Sequence, residues 1–175
     1  MADSGITKKA LATALLELME AESISQITIG EICKKCDMNR KSFYYHFKDK
    51  YDLIVWIYDT DIEMSSKSRT YTDIWDFLMN TCSVLDKKRK FYRKAFELNG
   101  ENSLKNHFGE ALAPVIRKTL AEKAETVEDT EVYMEFIKDA FVTAVEKWLN
   151  KKEPVSSKSF VDSLKESLLI AGKMI

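Results

Sequence analysis

Apolar side chains recur along this chain mainly at spacings of three and four, the period at which one face of a helix repeats. From Thr7, which can cap a helix, Leu11, Ala14, Leu15, Leu18 and Met19 keep that spacing and predict a first helix to about Glu22, after a frayed polar start. Residues 23–27 then connect to Thr28. Thr28 and Glu31 have the spacing of a capping box, in which each side chain satisfies a backbone N–H that the helix start leaves unpaired. A short second helix is expected there, with Ile29, Ile32, Cys33 and Cys36 on its inner side. Asp37 tolerates a left-handed turn and Asn39 can cap a third helix, from Arg40 to about Lys48.

The rest of the chain is read the same way. Asp49 is placed to cap a fourth helix, Lys50 to about Ser65, carrying Leu53, Ile54, Ile57, Tyr58 and Met64 and linking two domains. The polar run 65–72 is a loop, with Thr72 as the cap of a fifth helix using Ile74, Phe77, Leu78, Val84 and Leu85. A sixth helix, from about Phe91 to Leu98, stops at Asn99-Gly100, because glycine takes the left-handed cap without strain. The seventh, from about Ser103 to Ala124, contains Pro114, which removes one backbone hydrogen bond and predicts a kink or break. Acidic residues from Glu125 to Glu131 read as a loop and helix start. An eighth helix to Leu149 bears a broad apolar stripe: Tyr133, Phe136, Ile137, Ala140, Phe141, Ala144, Val145, Trp148 and Leu149. Pro154 interrupts the pattern before a ninth helix with Phe160, Val161, Leu164, Leu168 and Ala171. The expected fold is all-α, with about nine helices.

Two short helices joined by a tight turn form a helix-turn-helix pattern. In the second of them Phe43 and Phe47 are four residues apart and share one face, which anchors the helix. Lys41, Tyr44, Tyr45 and Lys48 fall on the other side. Charge sharpens this picture. The whole chain has a formal net charge of −1, whereas residues 34–50 hold six Lys or Arg against two Asp, a local surplus of four positive charges. Such a face neutralises phosphates and releases counterions, and its Lys, Arg and Tyr tips can reach DNA phosphates or base edges.

Composition removes most other classes. The chain of 175 residues is 45% hydrophobic with only five Gly and two Pro, which suits a helical protein. It has neither a long apolar run to span a membrane nor the apolar segment of a secretory signal, so no membrane partner and a cytoplasmic location are expected. The three cysteines do not suggest a disulfide framework. Cys33 and Cys36 form a Cys-x-x-Cys, but no further zinc ligands and no thioredoxin-like strand accompany it, so buried packing is the better account; Cys82 reads the same way. With two histidines, His46 and His107, and no glycine-rich phosphate loop or serine elbow, no catalytic residue, metal or cofactor is expected. The run Lys87-Lys88-Arg89-Lys90 could form a second nucleic-acid patch, yet between helices it reads better as a solvated face.

The segment Tyr44-Tyr45-His46-Phe47-Lys48-Asp49-Lys50, with Lys50-Tyr51-Asp52-Leu53-Ile54 after it, resembles the TetR family of transcriptional regulators. Asp37 departs from the glycine common at the family's turn. The resemblance implies a DNA-binding domain over residues 1–49 and a helical regulatory and dimerisation domain over 50–175. It further implies that Lys41, Ser42, Tyr44, Tyr45 and His46 lie at the surface of double-stranded DNA. Arg40 would stand at the helix start, with Thr28 and Lys50 contacting phosphates. The last two helices would form a homodimer interface, with Phe141, Val145, Trp148, Phe160, Leu164 and Leu168 as candidates. Trp56, Tyr71, Trp75, Met79 and Phe108 could line an effector cavity, although aromatics at helical spacing are more often core. ITKKALATALLELM, FYYHFKDKYDLIVWIY and EKWLN are also similar to the subgroup of the dihydroxyacetone kinase regulator, in which a protein partner conveys the signal. The signal is thus an unknown small molecule or a protein co-regulator. A helical interaction module without DNA binding would explain the C-terminal helices equally well, but not the segment from Tyr44 to Lys50.

Overall fold

Short-range capping sets most of the element boundaries. The computed structural model describes residues 2–65, 71–123 and 130–173, and these form nine α-helices with no strand. They are α1 (Ala2–Ala21), α2 (Ile29–Lys35), α3 (Arg40–His46), α4 (Lys50–Ser65), α5 (Ile74–Lys87), α6 (Arg89–Phe96), α7 (Leu104–Lys123), α8 (Thr130–Leu149) and α9 (Ser157–Ala171). The capping box of α2 forms in full: the Thr28 hydroxyl accepts from the Glu31 N–H at 3.2 Å and the Glu31 carboxylate accepts from the Thr28 N–H at 2.7 Å. Asn39 caps α3 by accepting from the Ser42 N–H at 2.8 Å. Asp49 accepts from the N–H groups of Tyr51 and Asp52 at the start of α4. Asp37 takes a φ of 54° and Gly100 a φ of 116°, both at the expected left-handed turns.

Several boundaries differ from expectation. Helix α1 starts at Ala2 rather than Thr7. Nearly two turns further on, the Lys8 ammonium sits 5.5 Å from the Phe47 ring centroid and 5.8 Å from that of Trp56. Asp73, not Thr72, caps α5, accepting from the N–H groups of Trp75 and Asp76; Thr72 instead donates to the Asp76 carboxylate. Helix α7 runs unbroken through Pro114. Met64 lies exposed on α4, outside the core. The loop expected over 65–72 and the acidic stretch Glu125–Glu131 fall mostly outside the described residues.

The chain forms two compact units. One comprises Met1–Thr60 and Lys90–Asn106. Its core gathers Leu11, Ala14, Leu15 and Met19 of α1, Ile32 and Cys33 of α2, Phe43 of α3, Leu53, Ile54, Ile57 and Tyr58 of α4, and Phe91, Tyr92, Ala95 and Phe96 of α6. Lys94 of α6 donates to the carbonyls of Met19 and Glu22, the acceptors that the end of α1 leaves open.

The other unit comprises Asp61–Arg89 and His107–Ile175. Helix α5 packs along α9, and Phe77, Leu78, Leu85, Phe108, Leu112, Phe141, Val145, Trp148 and Val161 are buried. Trp148 organises the end of α8. Its ring stacks on Phe160 with centroids 4.9 Å apart, lies 4.0 Å from the Arg89 guanidinium, and donates through Nε1 to the Val155 carbonyl at 2.9 Å. Arg89 in turn donates to Asp86 and to the Trp148 carbonyl, and Asp86 accepts from the Ser157 N–H.

Candidate nucleic-acid interface

Helix α3 is short and polar, so its orientation depends on its two phenylalanines. Phe43 and Phe47 are buried, with rings 5.8 Å apart, and Phe47 packs edge-on against Trp56 at 5.9 Å. With that face fixed, the period of the helix turns the others outward. Tyr44 is 58% and Tyr45 83% exposed, and Arg40, Lys41 and Lys48 are exposed as well. Two large aromatic side chains left in water on one helix are unusual unless they meet a partner.

Two concavities flank this face. Lys41, Ser42, Tyr45 and His46 line one of about 580 Å³ together with Asn39 and with Ser4 and Thr7 of α1. Ser4 reaches it because α1 extends to Ala2, a contribution hidden by the expected frayed start. Thr28, Gly30, Glu31, Cys33, Lys34, Met38, Asn39 and Arg40 line the second, of about 640 Å³, at the start of α2. Within it the Arg40 guanidinium lies across Gly30: a Cβ placed on that glycine would fall 2.7 Å from Nη2 and 3.3 Å from Nε.

The six cations of this region divide into two groups. Lys35 pairs with Glu17 of α1 at 3.0 Å. The Lys50 ammonium donates to the carbonyls of Ile24, Ser25 and Ile27 at 2.6, 3.3 and 2.7 Å, which accounts for its three N–H bonds. Burial pushes its pKa below the ordinary value, against the pull of Asp49 and Glu31. The phosphate contact expected of Lys50 therefore has no free N–H behind it. Lys34, Arg40, Lys41 and Lys48 are exposed and make no ion pair among the described residues. Thr28 is exposed too, but its hydroxyl proton points to Glu31 Oε2 at 2.7 Å.

Of the proposed cavity residues, Trp56 packs with Phe47 in the first unit, whereas Tyr71, Trp75 and Phe108 belong to aromatic packing in the second. Phe108 is fully buried and Met79 half-buried. Among the interface candidates, Phe141, Val145 and Trp148 are sealed in the core of their own unit, Phe160 and Leu164 are half-buried and Leu168 is exposed. Among the described residues, the large apolar side chains that remain in water on α8 are Val132, Tyr133 and Phe136, and on α9 Leu168, Leu169 and Ile170. The basic run 87–90 makes structural contacts instead of a patch: Lys88 pairs with Asp61, Arg89 with Asp86 and Lys90 with Glu20.

Burial raises the pKa of Cys33 and Cys36 and pushes that of Cys82 up to about 12. Among the described residues no cluster of His, Cys, Asp and Glu could hold a metal ion, and no helix is long and apolar enough to cross a membrane.

A capped pair of short helices around a left-handed turn, the second turning cations and tyrosines outward from a phenylalanine anchor, defines a helix-turn-helix protein. Residues 11–55 match the family model of bacterial regulatory proteins of the tetR family, and residues 72–169 match that of a transcriptional regulator C-terminal region. The chain belongs to the TetR family of transcriptional regulators. It is 29% identical over 100 residues to the HTH-type dhaKLM operon transcriptional activator DhaS of Lactococcus lactis, a match covering 57% of this chain and 54% of that one, about half the length of the relative. Its fold is similar to a solved structure of a dihydroxyacetone kinase operon activator DhaS, with a TM-score of 0.63 and 21% identity over 97% of this chain and 98% of that one. It is also similar to that of a TetR transcriptional regulator from Streptococcus agalactiae, with a TM-score of 0.68 and 18% identity over 93% of each.

Proposed function

We propose that this chain is a non-catalytic, cytoplasmic transcription regulator that works without a cofactor and binds double-stranded DNA through α3 as a homodimer. The observation that carries the reading is the exposed Lys41, Tyr44 and Tyr45 face of α3, held outward by buried Phe43 and Phe47 inside a segment that matches the family's regulatory proteins. Ser42 and His46 border that face, and Arg40 and Thr28 stand at its phosphate side. Residues 1–49 form the DNA-binding domain and 50–175 the regulatory and dimerisation domain.

Two copies of α3 would enter successive major grooves of a palindromic operator, about 34 to 36 Å apart if the half-sites lie one turn apart. Exposed Val132 and Phe136 of α8 and Leu168 and Leu169 of α9 offer the apolar surface for pairing. A small-molecule effector or a protein co-regulator acting on the second domain controls binding. It does so only as far as it prefers one spacing of the two reading helices over another. The likeness to DhaS supports control of gene expression as the output.

Gel-shift titration with the DNA upstream of the protein's own gene tests the reading. Lys41→Ala or Tyr44→Ala is expected to weaken binding while leaving helicity unchanged, and the wild-type affinity is expected to fall steeply with added salt. Equal affinity of the variants removes these residues from the reading face. A flat salt response removes the phosphate contacts.

A further inference from the structure

Glycine in a helix ordinarily weakens it, because it loses more backbone freedom on folding than any other residue. Gly30 stands in the first turn of α2 with no positive φ to require it. What distinguishes the position is the side chain laid across it. Nη2, Nε and Cζ of Arg40 come within 2.7, 3.3 and 3.4 Å of where a Cβ would be, so the guanidinium rests in the notch left by the missing side chain.

No hydrogen bond or ion pair among the described residues holds that guanidinium, so steric shape is what places it. The surrounding concavity also takes in Lys34, a second unpaired cation. The one carboxylate on its wall, Glu31, is engaged by two hydrogen bonds from Thr28, each of 2.7 Å.

We infer that Gly30 is a positioning residue whose notch presets the Arg40 guanidinium, beside Lys34, for one phosphate of the DNA backbone. The inference rests on the DNA-binding reading above and adds a residue to it. An arginine that leaves the reading helix for the neighbouring one would join the two helices at their phosphate side, and its fork suits a phosphate better than a lysine would. Because the displaced group is the far end of a flexible side chain, a methyl group at residue 30 moves Arg40 without disturbing the backbone.

Full-length wild-type protein, Gly30→Ala, Arg40→Ala and the double variant are titrated with a mixed-sequence DNA duplex across a salt series, alongside thermal unfolding. Gly30→Ala is expected to unfold at the same or a higher temperature, since alanine favours helix, yet to bind DNA about three- to tenfold more weakly at low salt. Arg40→Ala is expected to lose as much. Each is expected to flatten the log affinity against log salt slope by about 0.9, the loss of one phosphate contact. Adding Gly30→Ala to Arg40→Ala is expected to change nothing further. Wild-type affinity and slope in Gly30→Ala, a further loss in the double variant, or lower stability of Gly30→Ala with unchanged DNA binding each overturn the inference while leaving the DNA reading intact. Absence of salt-dependent duplex binding by the wild type overturns both.

Discussion

Lys50→Met separates two roles that one lysine could play at the start of α4. Methionine keeps most of the apolar stem and removes the ammonium. That ammonium donates to the carbonyls of Ile24, Ser25 and Ile27, in the connection between α1 and α2 and 23 to 26 residues earlier in the chain. A hydrogen bond to a charged group contributes about 1.5–3 kcal/mol where it is shielded from water. Lys50 is half-buried, and water can replace the lost donor at Ser25, so the three bonds together are discounted to about 2–4 kcal/mol. For a chain of this size that lowers the unfolding midpoint by about 4–16 °C. Circular dichroism during heating measures it.

Lys50→Arg is expected to recover little of this stability, because a planar fork does not fit three carbonyls converging on one point. The slope of DNA affinity against salt is expected to stay at its wild-type value in Lys50→Met once the measurement is made well below its melting point. An unchanged midpoint together with a slope flatter by about 0.9 would refute the reasoning and return Lys50 to the phosphate backbone.

Two further outcomes follow from the same contacts. The carboxyl of Glu31 is held below the usual carboxylate range, first by its hydrogen bond from the Thr28 hydroxyl, then by that from the Thr28 N–H, with a smaller contribution from Lys50. Its folded pKa lies below the unfolded one, so the capping box contributes in full above the ordinary value near 4.5 and is lost as pH falls through the lowered pKa. Amide exchange of Thr28, corrected for intrinsic rate, is expected to accelerate over that window and to be fast at all pH values in Glu31→Ala, which has no side-chain acceptor; constant protection would show the box is not what starts α2. On α8, Trp148→Ala is expected to destabilise the second unit by about 3–5 kcal/mol, the range for truncating a buried aromatic. Phe136→Ser, 68% exposed, is expected to leave the unfolding of a monomer unchanged and to shift the mass measured by light scattering from dimer toward monomer. Dimer mass retained in Phe136→Ser would move the pairing surface off α8.

How far the fold could be read in advance depended on the range of the interaction concerned. Thr28 with Glu31, Asn39 with Ser42, and Asp49 with Asp52 each act across three residues, and Asp37 and Gly100 answer to their own backbone angles. These were legible because donor, acceptor and spacing all stand in one short stretch. Phe43 and Phe47 set the outward face of α3 for the same reason. Capping failed at Thr7, which lies inside α1, and at Thr72, where the adjacent Asp73 offered the stronger acceptor and the two could be told apart only by backbone geometry.

Long-range partners were not legible. Lys88 finds Asp61 and Lys90 finds Glu20 while both lysines stay exposed, and Lys50 finds carbonyls between residues 24 and 27, so a charge that read as a phosphate contact is committed to the protein itself. The same holds for α8, where the apolar stripe covers so much of the circumference that its period cannot say which part turns inward. Arg89 and Phe160 decide it by drawing Trp148 under them, which takes Phe141 and Val145 into the core and leaves Val132 and Phe136 outside. Gly30 belongs to this class as well. Nothing within α2 explains a glycine in its first turn, and its purpose becomes visible only when a side chain ten residues further on is seen lying across it. A cation's neighbours, more than its position in a basic segment, therefore decide whether it is available to a phosphate, and by that criterion Lys34, Arg40, Lys41 and Lys48, exposed and without an ion pair among the described residues, are the candidates in this segment.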